Sequence, residues 1–339
     1  MNASARHGLL AGGNFIIDYV KMIDRWPQQD TLASIRSQSM SNGGGPYNVL
    51  KDLAAMKSSF PLEAAGLLGD DANGRWILQD CAAHNIDAAR LRLTGEAATS
   101  YTDAMCVESD GRRTFFHQRG ANALFDECHV DLKSSNAKIF LLAYLLLLDA
   151  MDRLDNDGRT GASRLLEQAR KLGFLTAVDT VSAPHPMFRE VVCASLAHAD
   201  IFFTNDVEAS LILDEDIGPN AASLESAACK IAALGACGRV VVHSSFGAVC
   251  REPDGTLARQ AALKLPAECI KGSTGAGDAF TAGFLHGVHE NAAPADCLLR
   301  GVSVAAACLA DPTPSLGVLP LSDCLDLAAR HGFQESFAI

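Results

Sequence analysis

Positive charge is in short supply. The 339-residue chain carries 28 Lys and Arg against 40 Asp and Glu, a formal net charge of −12. That argues against a nucleic-acid or anionic-membrane surface, which needs a basic patch. It leaves a nucleotide open, because glycine-loop N–H groups bind phosphate without side-chain charge. Paired cysteines are lacking too. The eleven cysteines form no C-x-x-C, and no metal spacing with the ten histidines stands out. Many, such as Cys106, Cys193, Cys250 and Cys308, have apolar neighbours, so reduced buried thiols in a cytoplasmic protein are expected. Met1–Gly8 lacks the charged-then-apolar pattern of a signal peptide. The longest apolar run, Ile139–Leu148, is too short to span a bilayer; it follows Lys138 and reads as a buried strand and its turn. Also absent are the G-x-x-x-x-G-K-[ST] loop, the G-x-S-x-G elbow, H-E-x-x-H and the protein-kinase motif set, which weakens hydrolase and metalloenzyme readings. Leu9–Asn14 has no G-x-G-x-x-G, which removes a dinucleotide enzyme.

What the chain does have is 48% hydrophobic and 20% charged residues, enough for a sizeable core. Strand patterns at Leu9–Gly13, Glu63–Leu68, Lys138–Leu142, Phe174–Asp179, Ile201–Thr204 and Arg239–His243 alternate with helical patterns. Those helices are expected at Pro46–Met56, Ala72–His84, Gly161–Leu172, Met187–Leu196, Val207–Leu213, Ala221–Leu234, Ala295–Ala310 and Ser322–Arg330. Such alternation predicts an α/β fold: a Rossmann-like, doubly wound, mainly parallel sheet covered on both faces. Thr31–Met40, and Tyr101–Glu108 with Arg112–Gln118 flanking an Asp110-Gly111 turn, have no helix between them. They are read as a small β-sheet lid formed by about residues 31–42 and 99–119. Gly247–Arg251 and Thr256–Gln260 read as a second hairpin.

Lys271-Gly272-Ser273-Thr274-Gly275-Ala276-Gly277-Asp278 runs into an apolar-faced helix, as an anion site would: bare backbone, free N–H groups and a positive dipole end. Asp278 there is either a first-turn residue favoured by the dipole or a base taking a proton from an attacking hydroxyl. Other polar residues gather where strands end: Asn14 and Asp18, Asp179, Asn205, and His243-Ser244-Ser245. Ligands of doubly wound sheets bind beyond those ends. Asn205 and Glu208 fit a helix capping box, or a pair organising hydrated Mg²⁺. Gly43–Asn48 with Asn14 and Asp18 fits a glycine turn or a sugar cradle. Arg119 and Asn122 fit an exposed loop or a second wall of that cradle.

Together these residues resemble the PfkB, or ribokinase-like, carbohydrate kinases. Gly272–Phe280 is similar to that family's C-terminal signature, Gly43–Asn48 to its N-terminal one, and Asn205–Glu208 to its N-x-x-E motif. The resemblance covers nearly the whole chain and implies one kinase domain over residues 1–339. It implies ATP-dependent phosphorylation of a sugar hydroxyl, with Asp278 as general base and Gly275, Ala276 and Gly277 as the anion hole. Substrate contacts fall to Asn14, Asp18, Gly44, Asn48, Arg119 and Asn122. Nucleotide contacts fall to Asn205, His243, Ser245, Gly247, Thr274 and Ser303, and Mg²⁺ to Glu208 and Asn205 through water. A homodimer through the lid is the implied assembly. Three departures stand out. Gly272 replaces the acid that helps hold a monovalent cation in potassium-activated relatives, so that cation stays open. His243-Ser244-Ser245 replaces the usual Thr-x-Gly. Gly45 replaces a lysine and is followed by Tyr47, which adds bulk at the pocket. A nucleoside kinase of the same superfamily and a non-catalytic sugar or nucleotide sensor are the alternatives; aromatics at 6% disfavour the first, and the intact Thr274–Asp278 run the second.

Overall fold

A computed structural model describes residues 6–109 and 112–337; the expected Asp110-Gly111 turn lies outside them. In chain order the strands are β1 (Leu9–Gly13), β2 (Ile16–Ile23), β3 (Ile35–Gly43), β4 (Leu62–Gly69), β5 (Ile86–Thr94), β6 (Tyr101–Val107), β7 (Arg113–Gln118), β8 (Ile139–Ala143), β9 (Leu175–Asp179), β10 (Ile201–Asn205), β11 (Arg239–Ser244), β12 (Gly247–Arg251) and β13 (Leu257–Ala261). The helices are α1 (Gly45–Ala55), α2 (Ala72–Ala83), α3 (Asp149–Asp152), α4 (Gly161–Lys171), α5 (Phe188–Leu196), α6 (Asp206–Leu213), α7 (Ala221–Ala233), α8 (Ala276–His289), α9 (Pro294–Cys308) and α10 (Leu321–His331).

Nine strands form one sheet in the order β13-β12-β11-β10-β9-β8-β1-β4-β5. From β11 through β5 the pairs are parallel; β12 and β13 close the edge antiparallel. Strands β1, β4 and β8 are buried along their whole length, as expected of strands covered on both faces. Alternate residues serve two cores. Leu9 and Ala11 pack with apolar residues of α1, α8 and α9. Leu10, Phe140 and Leu142 pack with those of α4 to α7. Strand β1 lies between β4 and β8, so successive connections leave it in opposite directions, and a crevice opens beyond Gly13 and its partner Ala143.

A separate four-stranded sheet has the order β3-β2-β6-β7. Its β2 was not expected from the sequence, nor was β5 in the main sheet. Ile16–Ile23 follows β1 almost directly, and its mixed polarity hides a strand with one face toward the main domain. The residues expected to be a strand at 31–34 are irregular, and β3 instead runs on to Gly43. Among the described residues no helix is long and apolar enough to cross a membrane.

Candidate active site

Asp278 sits in the first turn of α8 and is buried. Asn48, from the first turn of α1, donates from Nδ2 to its Oδ2 at 2.7 Å. The Tyr144 hydroxyl donates to its Oδ1. Both donors are themselves held. Asn42 Nδ2 donates to Asn48 Oδ1 at 2.7 Å and to Ser315 Oγ at 3.0 Å. The Tyr144 backbone N–H donates to Asn14 Oδ1 at 2.8 Å. The Tyr144 ring lies against Gly45, where a Cβ would come within 2.7 Å of Cε1. Burial pushes the Asp278 carboxyl up to about 6; the Asn48 and Tyr144 donors pull it down, and the charge of Glu208 adds to the rise.

Asp18 projects from β2, half-buried. Burial, reinforced by the charge of Asp278, raises it to about 7 against the pull of the Thr102 hydroxyl. Its carboxyl fits only because position 43 is glycine: a Cβ there would lie 2.4 Å from it. Gly44 has φ +88°, and a Cβ there would meet the Asn14 carbonyl at 2.1 Å. The two carboxylates therefore face a cradle whose glycines are demanded by space and backbone conformation together.

The anion loop is built as its composition suggests. Gly275 is the N-cap of α8 with φ +80°, and a Cβ there would meet Pro314 O at 2.5 Å. The N–H groups of Gly277 and Asp278 occupy the first turn, where an α-helix offers no acceptor, while that of Ala276 donates to Ser273 O at 3.3 Å.

Asn205 and Glu208 form the capping box: Asn205 Oδ1 accepts from Glu208 N at 2.8 Å, and Glu208 Oε2 from Asn205 N at 3.0 Å. The same carboxylate accepts from Thr180 Oγ1 at 2.7 Å, Ser182 Oγ at 2.9 Å and Asn205 Nδ2 at 2.8 Å. Burial still holds Glu208 above the ordinary carboxylate range. Asp179, at the end of β9, is raised well above its ordinary value by burial, then by Glu208, then by Asp278. Three carboxylates thus crowd one site, and the available donors are oxygens. Oxygen donors suit a hard divalent cation held through water; among the described residues these three carboxylates do not lie close enough together to ligate one ion directly.

Beyond Gly277 opens a cavity of about 810 Å³, lined among others by His243, Ser245, Gly247, Phe280, Val302 and Ala306. The His243 ring lies 5.0 Å from that of Phe280, and burial lowers its pKa to about 4, so it is neutral at physiological pH.

Several expected residues are buried or already engaged by other groups. Ser303 is not a cavity wall: it is fully buried, and its hydroxyl donates to Leu299 O one turn back in α9. Tyr47 adds no bulk to the pocket; it is buried in the core and its hydroxyl donates to Asp80. The Arg119 guanidinium is engaged by Leu146 O and Asp149, each at 3.0 Å. Asn122 is fully buried and donates to Phe15 O. Thr274 Oγ1 accepts from Arg113 of β7. Sequence reasoning missed Tyr144, Asn42, Ser315, Thr180 and Ser182. Tyr144 and Thr180 each directly follow a strand, at the carboxyl ends of β8 and β9, so the strand-end rule could have found them. Asn42 and Ser315 carry no comparable signal.

Residues 9–319 match the model of the pfkB family carbohydrate kinases. The chain is 26% identical over 280 residues to an ATP-dependent ribose-1-phosphate kinase of Halopiger xanaduensis, covering 82% of this chain and 83% of that protein. Its fold is similar to that of Arabidopsis thaliana ribokinase solved with ribose and ATP (TM-score 0.78, 22% identity, 95% of this chain and 98% of that one). It is also similar to a Methanocaldococcus jannaschii nucleoside kinase (TM-score 0.73, 17% identity, 97% and 100%). The match over nearly all of the chain places it: this protein belongs to the pfkB family of carbohydrate kinases.

Proposed function

We propose that the protein transfers the γ-phosphoryl group of ATP to a hydroxyl of a sugar or sugar phosphate, with Asp278 as the base. One observation carries this reading. A buried carboxylate with a pKa of about 6 stands at the start of a helix, behind a glycine N-cap, whose first-turn N–H groups at Gly277 and Asp278 have no acceptor within the helix. A base poised near neutral pH can take the acceptor proton while the cradle receives the phosphoryl oxygens. The acceptor oxygen loses its proton to Asp278 and forms the new O–P bond, and the bond from phosphorus to ADP breaks with its electron pair leaving on ADP.

Asp18, Gly44 and Asn48 hold the sugar, and Asn14 positions Tyr144 beside it. The cavity at His243, Ser245 and Gly247 takes the adenine end, and Thr274 fronts the phosphates. Glu208 and Asn205 would hold Mg²⁺ through water, and the ion would supply positive charge to offset that of the phosphates. The relative that phosphorylates ribose 1-phosphate supports a sugar phosphate as acceptor. The outer face of the small sheet supports a homodimer through this lid, since Trp26, Ile35, Met40 and Phe116 are all exposed there and Trp26 stacks on Phe116. Eleven free thiols support a cytoplasmic location.

The test is ADP release from ATP with the purified protein against ribose, ribose 1-phosphate, hexoses and nucleosides. Turnover with a sugar or sugar phosphate is expected. Turnover with nucleosides alone would favour the nucleoside-kinase reading, and no turnover with any of them a sensor.

A further inference from the structure

Gly272 stands where potassium-activated relatives carry an acid that helps hold a monovalent cation, and the residues around it decide whether such an ion fits here. Position 272 has no room for an acidic side chain. A Cβ there would lie 2.5 Å from Arg113 Nη2 and 2.8 Å from Pro312 Cα. The Arg113 guanidinium also donates to Thr274 Oγ1, so a permanent positive charge is fixed against the same spot. An incoming cation would meet repulsion where it needs a carboxylate.

Backbone carbonyls are the other ligands that such ions take. The glycine loop packs against the end of α9 and the segment 309–315, where carbonyls gather. Protein donors already hold them. Leu309 O accepts from Lys271 N at 2.8 Å and Gly272 N at 3.4 Å, Cys308 O from Asp311 N at 3.3 Å, and Ala307 O from Ala310 N at 3.1 Å. Across the gap, Thr274 O of the loop and Pro314 O of the facing segment share one thiol. Cys308 Sγ lies 3.1 Å from Pro314 O and 3.5 Å from Thr274 O. Cys308 is buried; burial, then the charges of Asp52, Asp278 and Asp311, push its pKa well up. It therefore keeps its proton and acts as a donor. The residues present do not fit a cation; they fit a hydrogen-bonded bridge.

We propose that the Cys308 thiol takes the place of a monovalent cation, pinning the anion loop to residues 309–315, so that the protein needs neither K⁺ nor Na⁺. Cys308 is a positioning residue. It acts through Thr274 and Pro314, and Pro314 is what Gly275 packs against. Gly275 in turn sets the start of α8, where Gly277 and Asp278 offer their N–H groups.

The inference rests on the kinase reading, and the test separates the two. ADP binding to the full-length protein is measured by calorimetry with Mg²⁺, and ADP release from ATP with the best acceptor, in potassium, sodium and tetramethylammonium salts at one ionic strength. The wild type is expected to bind ADP and to turn over equally in all three. Cys308→Ala removes the donor and is expected to weaken both by about 3- to 10-fold, the worth of one hydrogen bond. Cys308→Ser restores a donor and should recover them, and melting curves should show both variants folded. A wild type whose ADP binding or turnover rises when K⁺ replaces tetramethylammonium overturns the proposal while leaving the kinase reading intact. A Cys308→Ala protein that matches the wild type in tetramethylammonium overturns it equally. A wild type that neither binds nor releases ADP in any of the salts overturns both.

Discussion

Asn48 donates to Asp278 across 230 residues of sequence, at 2.7 Å, and so joins the first turns of two helices that enclose the site. The contact holds the base in place and lowers its pKa against burial. Removing it should therefore show in the pH profile rather than only in the rate. The base must be deprotonated to act, so turnover should rise with pH through about 6 in the wild type. A hydrogen bond to a charged group is worth about 1.5–3 kcal/mol, which makes Asn48→Ala expected to move the acid limb up by about 1–2 pH units. A limb that stays where it is would remove Asn48 from the control of the base.

Asp52 lies a turn further along α1 on the same side. It is fully buried and neither carboxylate oxygen makes a hydrogen bond in the structure. Burial raises it well above its ordinary 3.8 against the pull of the nearby Ser315 hydroxyl; the charge of Asp278 adds to the rise and that of Lys51 opposes it. The sign follows. Folding keeps the proton on Asp52 where the unfolded chain releases it. Its stabilising linkage is whole below about pH 4, where both states are protonated, and is lost as pH rises toward the folded pKa. Asp52→Asn removes that dependence, so the gain in Tm over the wild type should be larger at pH 8 than at pH 5. Equal shifts at the two pH values would contradict the assignment.

The outer face of the small sheet makes a third claim. Met40, Tyr19, Asp103 and Phe116 form one row across its strands, opposite to Asp18. Trp26 and Phe116 are 49% and 52% exposed, more than isolated surface residues explain once they stack together. Phe116→Glu should shift the protein from dimer to monomer in light scattering, with the melting curve little changed. A wild type that is monomeric at tens of micromolar would remove the claim.

How much of this was legible in the chain depends on where the signal lies. The parallel sheet was, because buried strands such as Ile139–Ala143 are continuous apolar runs separated by amphipathic helices. The glycine loop was, because Gly275 and Gly44 answer to positive φ and close backbone approach, demands that only glycine meets. Strand β2 was not: Asp18, Tyr19 and Lys21 break its apolar pattern, although Ile16, Ile17, Val20 and Ile23 are buried. Asn42 and Ser315 were not, because an ordinary amide and hydroxyl become part of the site only when residues 273 apart in sequence are brought to 3.0 Å. Arg113 was hidden for the same reason: an arginine in a hairpin strand reads as a solvated side chain until the loop it reaches is in view. Ser303 and Tyr47 misled because neither helical nor family position reveals which way a side chain turns. Both were absorbed by their own hydrogen bonds, to Leu299 and Asp80.

The central claim is that Asp278 takes the proton from the acceptor. Asp278→Asn keeps the side-chain volume and leaves the anion cradle untouched, so the purified variant should fold and bind ADP as the wild type does. With the best acceptor found, its turnover should fall by about 10²–10⁴-fold, the usual worth of a positioned general base. Turnover close to that of the wild type, in a variant whose ADP binding is intact, would contradict the account at its core.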